Sequence, residues 1–480
     1  MKNISIKGVF MLINAIIMKK TRIVFLFLSC LIVLLTAAFV ANNKPPQINR
    51  QKPNIILILG DDIGFETISA YGSTTYKTPR IDNMAKGGAL FQNCYAQPLC
   101  SPSRVQIMTG KSNFRNYERW GYLNQNETNF AHILKSQGYA TCITGKWQLG
   151  GDAFTPYKAG FDEYLLWNIM DTSSTYNERY KDPRLLENGV SKKYSKGEYG
   201  PDLFVNYIKD FMTRKKDGPF LVYYPMVLSH KPFVPTPANG KVYENFKVVP
   251  KGEPGGSSAD NAFFKDQMAY LDKNVGEILD KVNELGISEN TLILFTGDNG
   301  TGVGINSGMK DGRSIPGMKG ATTEYGIHVP LVAYWKGTIK PGQVNDKLID
   351  FTDFLPTITD AVNVSLPKDF VTDGRSFLPL LTGQQYEGRD WLFAHYDPQK
   401  GEFKKARFVH NKEWKLYETG EIFNVAKDPL EKNVVTENSL SPDQKILINT
   451  FREVFPKMTK VEVIKTPKVK KKKSDDDDEG

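Results

Sequence analysis

The sequence predicts an α/β fold in which a mostly parallel sheet is sandwiched by helices, with a smaller C-terminal domain built on an antiparallel sheet. Three observations predict it. Short apolar runs alternate with amphipathic stretches from residue 53 onward, the apolar runs have no polar face, and after about residue 385 the runs shorten and turns separate them. Strands that are buried on both faces are typical of parallel sheets covered by helices on each side.

Four apolar runs are predicted as strands of the large sheet. They are Asn54–Leu59, Gly138–Thr144, Phe220–Tyr224 and Thr291–Thr296. Helical stretches precede the last three, and two of these stretches are Phe130–Gln137 and the long amphipathic segment Asn261–Leu285. Strands that alternate with helices in this way favour parallel pairing in one sheet.

The smaller domain is predicted from four short runs near the C-terminus. These runs are Trp391–His395, Ala406–His410, Trp414–Tyr417 and Ile422–Asn424, and a helix near Pro442–Phe455 follows them. The predicted organisation is therefore an N-terminal segment (1–41), a large α/β domain (53–385), a small antiparallel-sheet subdomain (386–456) and a charged, disordered tail (457–480).

The N-terminal segment is predicted to direct export. Ile23–Val40 is apolar except for Ser29 and Thr36, follows a cluster of cations and contains the small residues Thr36–Ala38. This pattern is typical of a secretory signal peptide. An apolar run of about 18 residues is also just long enough to span a bilayer, so an uncleaved membrane anchor is the alternative. The protein is expected to be periplasmic or secreted, or held at the membrane by this segment.

The net charge of +9 does not indicate a nucleic-acid partner. Five cations lie before residue 42, so the rest of the chain carries only +4. In the C-terminal tail, Lys470–Lys473 and Asp475–Asp478 nearly cancel. The sequence contains neither an extended basic stripe nor a recognisable nucleic-acid-binding module. Four cysteines in 480 residues also exclude a disulfide scaffold. Cys94 and Cys142 are expected to be buried thiols, with a disulfide between them as the alternative.

Polar side chains follow each of the four predicted strands. In chain order they are Asp61, Asp62, Lys146, Gln148, His230, Asp298 and Asn299. Each of them alone is typical of a helix cap, a turn or a surface charge, but ligands of open parallel sheets bind beyond the carboxyl ends of the strands. Oxygen ligands without an excess of His or Cys favour Ca²⁺ or Mg²⁺ over Zn²⁺. The sequence therefore predicts one polar crevice with a divalent cation.

One segment carries a family resemblance. Cys100-Ser101-Pro102-Ser103-Arg104, with Thr109-Gly110 downstream, resembles the signature of the sulfatase family. Further segments resemble that family's landmarks in the same order; they are Gly145–Gly150, Ser229–Phe233, Gly317–Pro330 and Glu421–Asn433. The resemblance covers roughly residues 53–440 and implies an alkaline-phosphatase-like fold. It also implies that a formylglycine-generating enzyme converts Cys100 to formylglycine (3-oxoalanine).

The resemblance implies a sulfuric ester hydrolase of the arylsulfatase type. One hydroxyl of the formylglycine hydrate would attack sulfur, and the second would drive elimination of sulfate. The implied metal ligands are Asp61, Asp62, Cys100, Asp298 and Asn299, with Ca²⁺ favoured over Mg²⁺. The implied catalytic residues are Cys100, Arg104, Lys146, His230 and Lys319. The implied substrate-binding residues are Lys146, His230, Lys319 and Gln148. Either Lys319 or His230 would protonate the leaving oxygen.

Gln148 departs from the family pattern, which has a histidine at this position. Glutamine cannot accept a proton at neutral pH, so another base is needed or the chemistry is altered. Three functions stay open: a sulfatase of sulfated saccharides, a phosphonate or phosphate ester hydrolase of the same superfamily, and a catalytically impaired binder of sulfated glycans. An exported enzyme with Trp120, Tyr122 and Trp167 available for stacking favours a sulfated saccharide as the substrate.

Overall fold

The computed structural model describes residues 52–167, 169, 179–247, 261–401 and 403–459. The strands within these ranges are β1 (Asn54–Gly60), β2 (Ala89–Tyr95), β3 (Ala140–Lys146), β4 (Glu163–Trp167), β5 (Arg184–Glu187), β6 (Val190–Lys193), β7 (Phe220–Pro225), β8 (Thr291–Gly297), β9 (Asn306–Gly308), β10 (Ser314–Pro316), β11 (His328–Tyr334), β12 (Gln343–Asp350), β13 (Leu392–Tyr396), β14 (Ala406–His410), β15 (Trp414–Tyr417) and β16 (Ile422–Asn424). The α-helices span Pro79–Gly87, Cys100–Thr109, Asn113–Asn116, Phe130–Ser136, Thr155–Lys158, Gly200–Lys215, Lys241–Asn245, Ala262–Glu284, Glu324–Ile327, Phe354–Ala361, Leu378–Leu381 and Pro442–Arg452.

Ten of the described strands form one large sheet, in the order β12-β2-β11-β8-β1-β7-β3-β4-β5-β6. The centre of the sheet is parallel: β1 lies between β8 and β7, and β3 pairs with β7 and β4 in the same direction. β11 is antiparallel to both of its neighbours, and β5 and β6 add an antiparallel edge. The predicted fold class, a mostly parallel sheet flanked by helices, is confirmed.

Strand β1 shows why helices cover both faces of this sheet. All of its residues are buried, although successive side chains of a strand point to opposite faces. Leu57 contributes to one core with the helix Cys100–Thr109, whereas Ile56 and Ile58 contribute to a second core with the helix Ala262–Glu284. A strand that is apolar on both faces needs cover on both sides, and the two cores supply it.

The small sheet contains β13, β14, β15 and β16 in sequence order, and every pair is antiparallel. The helix Pro442–Arg452 covers it with Ile448 and Phe451. This helix begins with a capping box, in which the Gln444 amide donates to Ser441 Oγ (3.3 Å) and the Ser441 amide donates to Gln444 Oε1 (2.9 Å). The predicted C-terminal antiparallel sheet is confirmed.

A buried polar cluster joins the small sheet to the loop that carries Lys319. Lys415 Nζ donates to Glu431 Oε1 (2.6 Å) and to the carbonyl oxygen of Thr322 (2.5 Å). The Tyr417 hydroxyl donates to Glu431 Oε2 (2.5 Å) and lies 2.8 Å from the hydroxyl of Thr322. The Lys415 side chain has no exposed surface, and Glu431 is 6% exposed. These contacts, the Lys415 cluster below, hold the loop from the C-terminal side.

Two predictions concern residues outside the described ranges: the export segment 1–41, and the charged tail from residue 460 onward. No described helix is both long enough and apolar enough to cross a membrane. Cys94 and Cys142 are buried free thiols, as expected.

Candidate active site

Four neighbouring strands bring the predicted polar residues to one edge of the sheet. Strands β8, β1, β7 and β3 lie side by side and run in the same direction. Asp61 directly follows β1, Lys146 ends β3, Asp298 directly follows β8, and His230 lies in the loop after β7. Because the carboxyl ends of parallel strands meet at one edge, the four segments share a crevice.

Gly145 makes the path of β3 into this crevice possible. Its φ is +110°, a left-handed backbone conformation that residues other than glycine rarely adopt. A Cβ at this position would lie 2.1 Å from the Pro225 carbonyl oxygen of the adjacent strand β7. Only glycine therefore allows β3 to approach β7 closely while it ends in Lys146.

The carboxylates form two groups suited to a metal ion. Oxygen atoms of Asp61 and Asp62 lie within 4.8 Å of one another and of a His230 ring nitrogen, and a second such group joins Asp61 and Asp298 to Cys100 Sγ. Asn299 Nδ2 donates to Asp62 Oδ1 (2.9 Å), and Asn299 Oδ1 is buried with no hydrogen-bond partner within the described ranges. An unpartnered buried carbonyl oxygen beside three carboxylates is a donor set that fits a hard divalent cation.

Three cations neutralise these carboxylates. Lys146 Nζ contacts both oxygens of Asp61 (2.9 and 2.8 Å), and Lys319 Nζ contacts both oxygens of Asp62 (2.6 and 2.7 Å). Arg104 is the third cation and contacts Asp298. Lys146 was predicted to contact a sulfate, but here its ammonium group binds a predicted metal ligand. Lys319 was likewise predicted to contact the sulfate, and its ammonium group binds the predicted metal ligand Asp62.

The charges shift the pKa values of the carboxylates in opposite directions. Burial by itself would raise the pKa of Asp61, but Lys146 and its neighbouring cations hold it below its ordinary value. Burial raises the pKa of Asp298 to about 7, and Asp61 adds to this shift while Arg104 opposes it. A cation bound between these carboxylates would favour the ionised form of Asp298.

Cys100 is the first residue of the helix Cys100–Thr109 and is 1% exposed. Its Sγ donates to Gln148 Oε1 at 3.1 Å, so the residue that departs from the family pattern contacts the signature cysteine. Burial raises the pKa of the Cys100 thiol above its ordinary value, although Lys146 opposes the shift. An unmodified Cys100 is therefore a neutral thiol at neutral pH, and a neutral thiol is a weak nucleophile.

Arg104 lies one helical turn beyond Cys100 and is almost fully buried. Its guanidinium donates to Asp298 Oδ2 (3.1 Å) and to the Lys146 carbonyl oxygen (2.8 Å). Its Nε has no partner within the described part of the chain. Arg104 thus orients a predicted metal ligand and keeps one donor for a further acceptor.

His230 is a neutral base in this site. Its Nδ1 lies 2.7 Å from the Lys231 carbonyl oxygen, an acceptor, and 3.2 Å from Nη2 of Arg179, a donor. Its Nε2 faces Asp62 at 3.8 Å. Burial lowers the pKa of His230 to about 3, and Lys319 adds to the shift while Asp62 opposes it.

Arg179 is a site residue that the sequence did not reveal. It is 1% exposed, donates to the His230 carbonyl oxygen at 3.2 Å, and stacks on the Trp167 ring with 4.6 Å between its guanidinium carbon and the ring centroid. It also contacts the Lys231 carbonyl oxygen. No motif surrounds Arg179, so only the fold indicates that it supports the His230 loop.

The comparison with known proteins decides the family. The family model Sulfatase matches residues 53–364, and these include every residue of the crevice described above. The chain belongs to the sulfatase family. A second model, N-sulphoglucosamine sulphohydrolase C-terminal, matches residues 319–457, where the Lys319 loop and the small sheet lie. The predicted family and enzyme class are confirmed.

Two curated sulfatases illustrate the relationship. N-acetylgalactosamine-6-sulfatase of Mus musculus is 30% identical over 413 residues, which cover 78% of this chain and 75% of the relative. Arylsulfatase A of Bos taurus is 31% identical over 386 residues, which cover 73% of this chain and 72% of the relative. The similarity therefore extends over most of both chains.

Solved structures share the fold of this sulfatase. A protein in complex with its substrate D-glucosamine-2-N,6-O-disulfate superposes with a TM-score of 0.68 at 21% identity, covering 85% of this chain and 98% of that one. The phosphonate monoester hydrolase of Agrobacterium radiobacter gives 0.63 at 20% identity, covering 85% and 95%. The alkaline-phosphatase-like fold class predicted from the sequence is thereby confirmed.

Glu66 is a fully buried carboxyl group whose titration should make the stability of the fold depend on pH. Thr301 donates to its Oε1, whereas its Oε2 has no partner within the described residues. Burial raises the pKa of Glu66 from 4.5 to about 7. The folded state therefore binds the proton more tightly than the unfolded state, and this contribution to stability is full at low pH and is lost as the pH rises towards 7.

We expect Glu66→Gln to remove this contribution. Relative to the unsubstituted sulfatase, its free energy of unfolding should improve by about 2 kcal/mol between pH 5 and pH 8. Urea unfolding at the two pH values measures the difference. A constant offset between the two proteins at both pH values would contradict the raised pKa.

Proposed function

We propose that this sulfatase hydrolyses sulfate esters of saccharides, with Cys100 converted to formylglycine and a divalent cation, Ca²⁺, held beside it. The observation that carries the proposal is the position of Cys100 at a helix N-terminus. There its Sγ lies within 4.8 Å of carboxylate oxygens of Asp61 and Asp298. The helix N-terminus favours an anionic group at this point. The neutral, buried thiol supports a modified rather than a free cysteine as the source of the nucleophile.

Formylglycine hydrate supplies one hydroxyl for attack on sulfur and a second for the release of sulfate. The chain's own residues would hold that hydrate. On the same helix, one turn away, Arg104 Nε is a buried donor whose N–H has no hydrogen-bond partner within the described residues. Gln148 is already in contact with the side chain of residue 100 and can donate or accept a hydrogen bond there.

A divalent cation supplies Lewis-acid polarisation of a sulfate oxygen and orients the nucleophile. Asp61, Asp62, Asp298 and Asn299 would hold it, and the unpartnered Asn299 Oδ1 supports this set. Ca²⁺ is proposed because it accepts carboxylate and amide oxygens in irregular geometry, whereas Mg²⁺ needs near-ideal octahedral geometry.

Lys319 is the better candidate for protonating the leaving oxygen. Burial alone would lower the pKa of Lys319, but Asp62 and the other acidic groups beside it, Asp61 among them, together outweigh burial and keep the ammonium group protonated at neutral pH. His230 is neutral at that pH and so carries no imidazolium proton to donate. His230 is then suited to hydrogen bonding with the substrate, because its lowered pKa makes it a weak base.

A saccharide substrate is proposed from the relatives. The curated relatives include N-acetylgalactosamine-6-sulfatase, and one protein of the same fold was solved with a disulfated glucosamine. The second candidate is a phosphonate or phosphate ester hydrolase, because a phosphonate monoester hydrolase shares the fold.

Paired assays separate the two candidates. The purified protein is given sulfated monosaccharides, 4-nitrophenyl sulfate and 4-nitrophenyl phenylphosphonate, and release of sulfate or nitrophenol is followed with and without a chelator. We expect chelator-sensitive sulfate release that exceeds phosphonate cleavage. In parallel, the mass of the Cys100 peptide should be lower by about 18 Da. An unmodified peptide in an active preparation would contradict the proposed nucleophile.

Gln148→His is expected to accelerate turnover. A neutral imidazole beside residue 100 can accept a proton during sulfate release, whereas the glutamine amide cannot. We expect kcat to rise about tenfold, with a new ascending limb near the histidine pKa in the pH profile of kcat. Gln148→Asn, which cannot accept a proton either, is the matched control. An unchanged pH profile in Gln148→His would show that another group already fills this role.

Export is proposed from the N-terminal segment 1–41, because a positive start and an apolar run are typical of a secretory signal. Fractionation of producing cells, followed by N-terminal sequencing, tests it. A soluble product that has lost this segment indicates cleavage. An intact product in the membrane fraction indicates the anchor, and a cytoplasmic product would contradict export.

A further inference from the structure

The segment that follows β13 approaches the active site from the small sheet. The Tyr396 hydroxyl donates to the carbonyl oxygen of Gly320 at 3.4 Å, and Gly320 is the neighbour of Lys319. The Tyr117 hydroxyl donates to the Pro398 carbonyl oxygen at 3.3 Å. Residues 396–398 are therefore attached both to the Lys319 loop and to the segment that follows the signature helix.

Lys400, two residues further on, lies between two aromatic rings. Its Nζ is 3.9 Å from the centroid of the Trp120 ring and 6.0 Å from that of Phe403. Both rings belong to segments that contact residues of the active-site crevice. The amide of Gly121, next to Trp120, donates to Ser101 Oγ at 3.1 Å, and the Phe403 ring packs so closely on Gly320 that a Cβ there would lie 2.3 Å from it.

The ammonium group of Lys400 has no ion-pair partner among the residues that the structure describes. Its side chain is solvent-exposed. Partial burial lowers the pKa of Lys400; Cys100 opposes this shift, while Lys319 and Lys146 add to it. Lys400 is thus an accessible cation whose electrostatic environment includes the residues of the active site.

We propose that Lys400 binds a second anionic group of the substrate, a carboxylate or a second sulfate on the saccharide that carries the scissile ester. The inference rests on the proposed function and narrows the substrate class to acidic, multiply charged sulfated saccharides. The face of Trp120 holds the ammonium group by a cation–π contact and limits its rotamers in advance. Trp120 is therefore a positioning residue, since less freedom is lost when the anion binds.

The test compares Lys400→Met, Lys400→Arg and, as matched control, Lys404→Met, which removes an exposed charge from the same segment. Each is assayed on 4-nitrophenyl sulfate, on a monosulfated neutral saccharide, on its uronic-acid counterpart and on its disulfated counterpart. We expect Lys400→Met to raise KM about tenfold for the last two alone, with kcat nearly unchanged because the contact is remote from the scissile bond. Lys400→Arg should restore most of the affinity.

The two acidic saccharides reveal whether a carboxylate or a second sulfate is recognised. An equal effect on all four substrates, or the same effect from Lys404→Met, would overturn the proposal. Calorimetric binding of the acidic saccharides to Cys100→Ala, with and without Lys400→Met, gives a readout that needs no turnover. If the unsubstituted protein hydrolyses none of the substrates, the proposed function fails. The Lys400 proposal then stands or falls on whether Lys400→Met weakens this binding.

Discussion

Cys100→Ala is expected to abolish sulfate ester hydrolysis. The substitution removes the sulfur atom that lies within 4.8 Å of carboxylate oxygens of Asp61 and Asp298. Alanine cannot be converted to the aldehyde whose hydrate is the proposed nucleophile. We expect kcat/KM to fall by at least about 10⁴-fold, which corresponds to about 5.5 kcal/mol of transition-state stabilisation. Release of free sulfate from a sulfated monosaccharide is the measurement.

Two further variants show whether the loss is chemical. Cys94→Ala removes another buried free thiol outside the crevice and should retain turnover. Cys100→Ser offers a hydroxyl that can attack sulfur but lacks the second hydroxyl needed for elimination. It is expected to release one equivalent of alcohol per protein and then stop. Near-normal sulfate release by Cys100→Ala would refute the proposed nucleophile.

Glu431→Gln is expected to cause a large loss of stability. It removes the ion-pair partner of Lys415, whose side chain has no exposed surface, and so leaves a buried ammonium group without a carboxylate in contact with it. Breaking a buried ion pair in this way destabilises proteins by about 3–5 kcal/mol, and we expect about 3 kcal/mol here because the Thr322 carbonyl oxygen still accepts from Lys415. Urea unfolding measures this, and kcat should fall as well because the Lys319 loop loses a support.

The small subdomain also offers a matched control. Glu437 pairs with Arg452 at 2.6 Å, but the two side chains are 51% and 40% exposed. Glu437→Gln should cost less than about 1 kcal/mol, as exposed ion pairs do. The double variant Lys415→Met/Glu431→Leu should be more stable than Glu431→Gln, since it buries no unpaired charge. Equal losses for Glu431→Gln and Glu437→Gln would mean that the Lys415 cluster does not stabilise the fold.

Local patterns predicted four central strands of the large sheet and the four strands of the small sheet, but they missed the apolar strand β11. β14 and β15 begin and end at the predicted residues because Asn411 makes a turn between them, accepting hydrogen bonds from the amides of Glu413 and Trp414. β2 and β12 were not predicted as strands, since β12, with the sequence QVNDKLID, mixes polar and apolar residues at an edge of the sheet. Their positions depend on pairing with distant strands.

The candidate site was predictable to the extent that it follows strand ends. Asp61, Lys146 and Asp298 meet because their strands are parallel neighbours. The contacts made there were not predictable: Arg104 binds Asp298, and both lysines bind carboxylates. Arg179 reaches His230 from a loop without a motif. Such contacts depend on long-range geometry, which no spacing in the sequence encodes.

The burial of Cys100 has a consequence for the order of events in biosynthesis. A second protein that modifies this sulfur must bring its own active site to within bonding distance of it. In the folded sulfatase the residue is 1% exposed and is enclosed by its own helix and by Gln148. The proposed conversion therefore belongs to the time before the chain closes around the signature helix. A cell that makes the protein faster than it can be modified would accumulate folded molecules that are inert and beyond later repair.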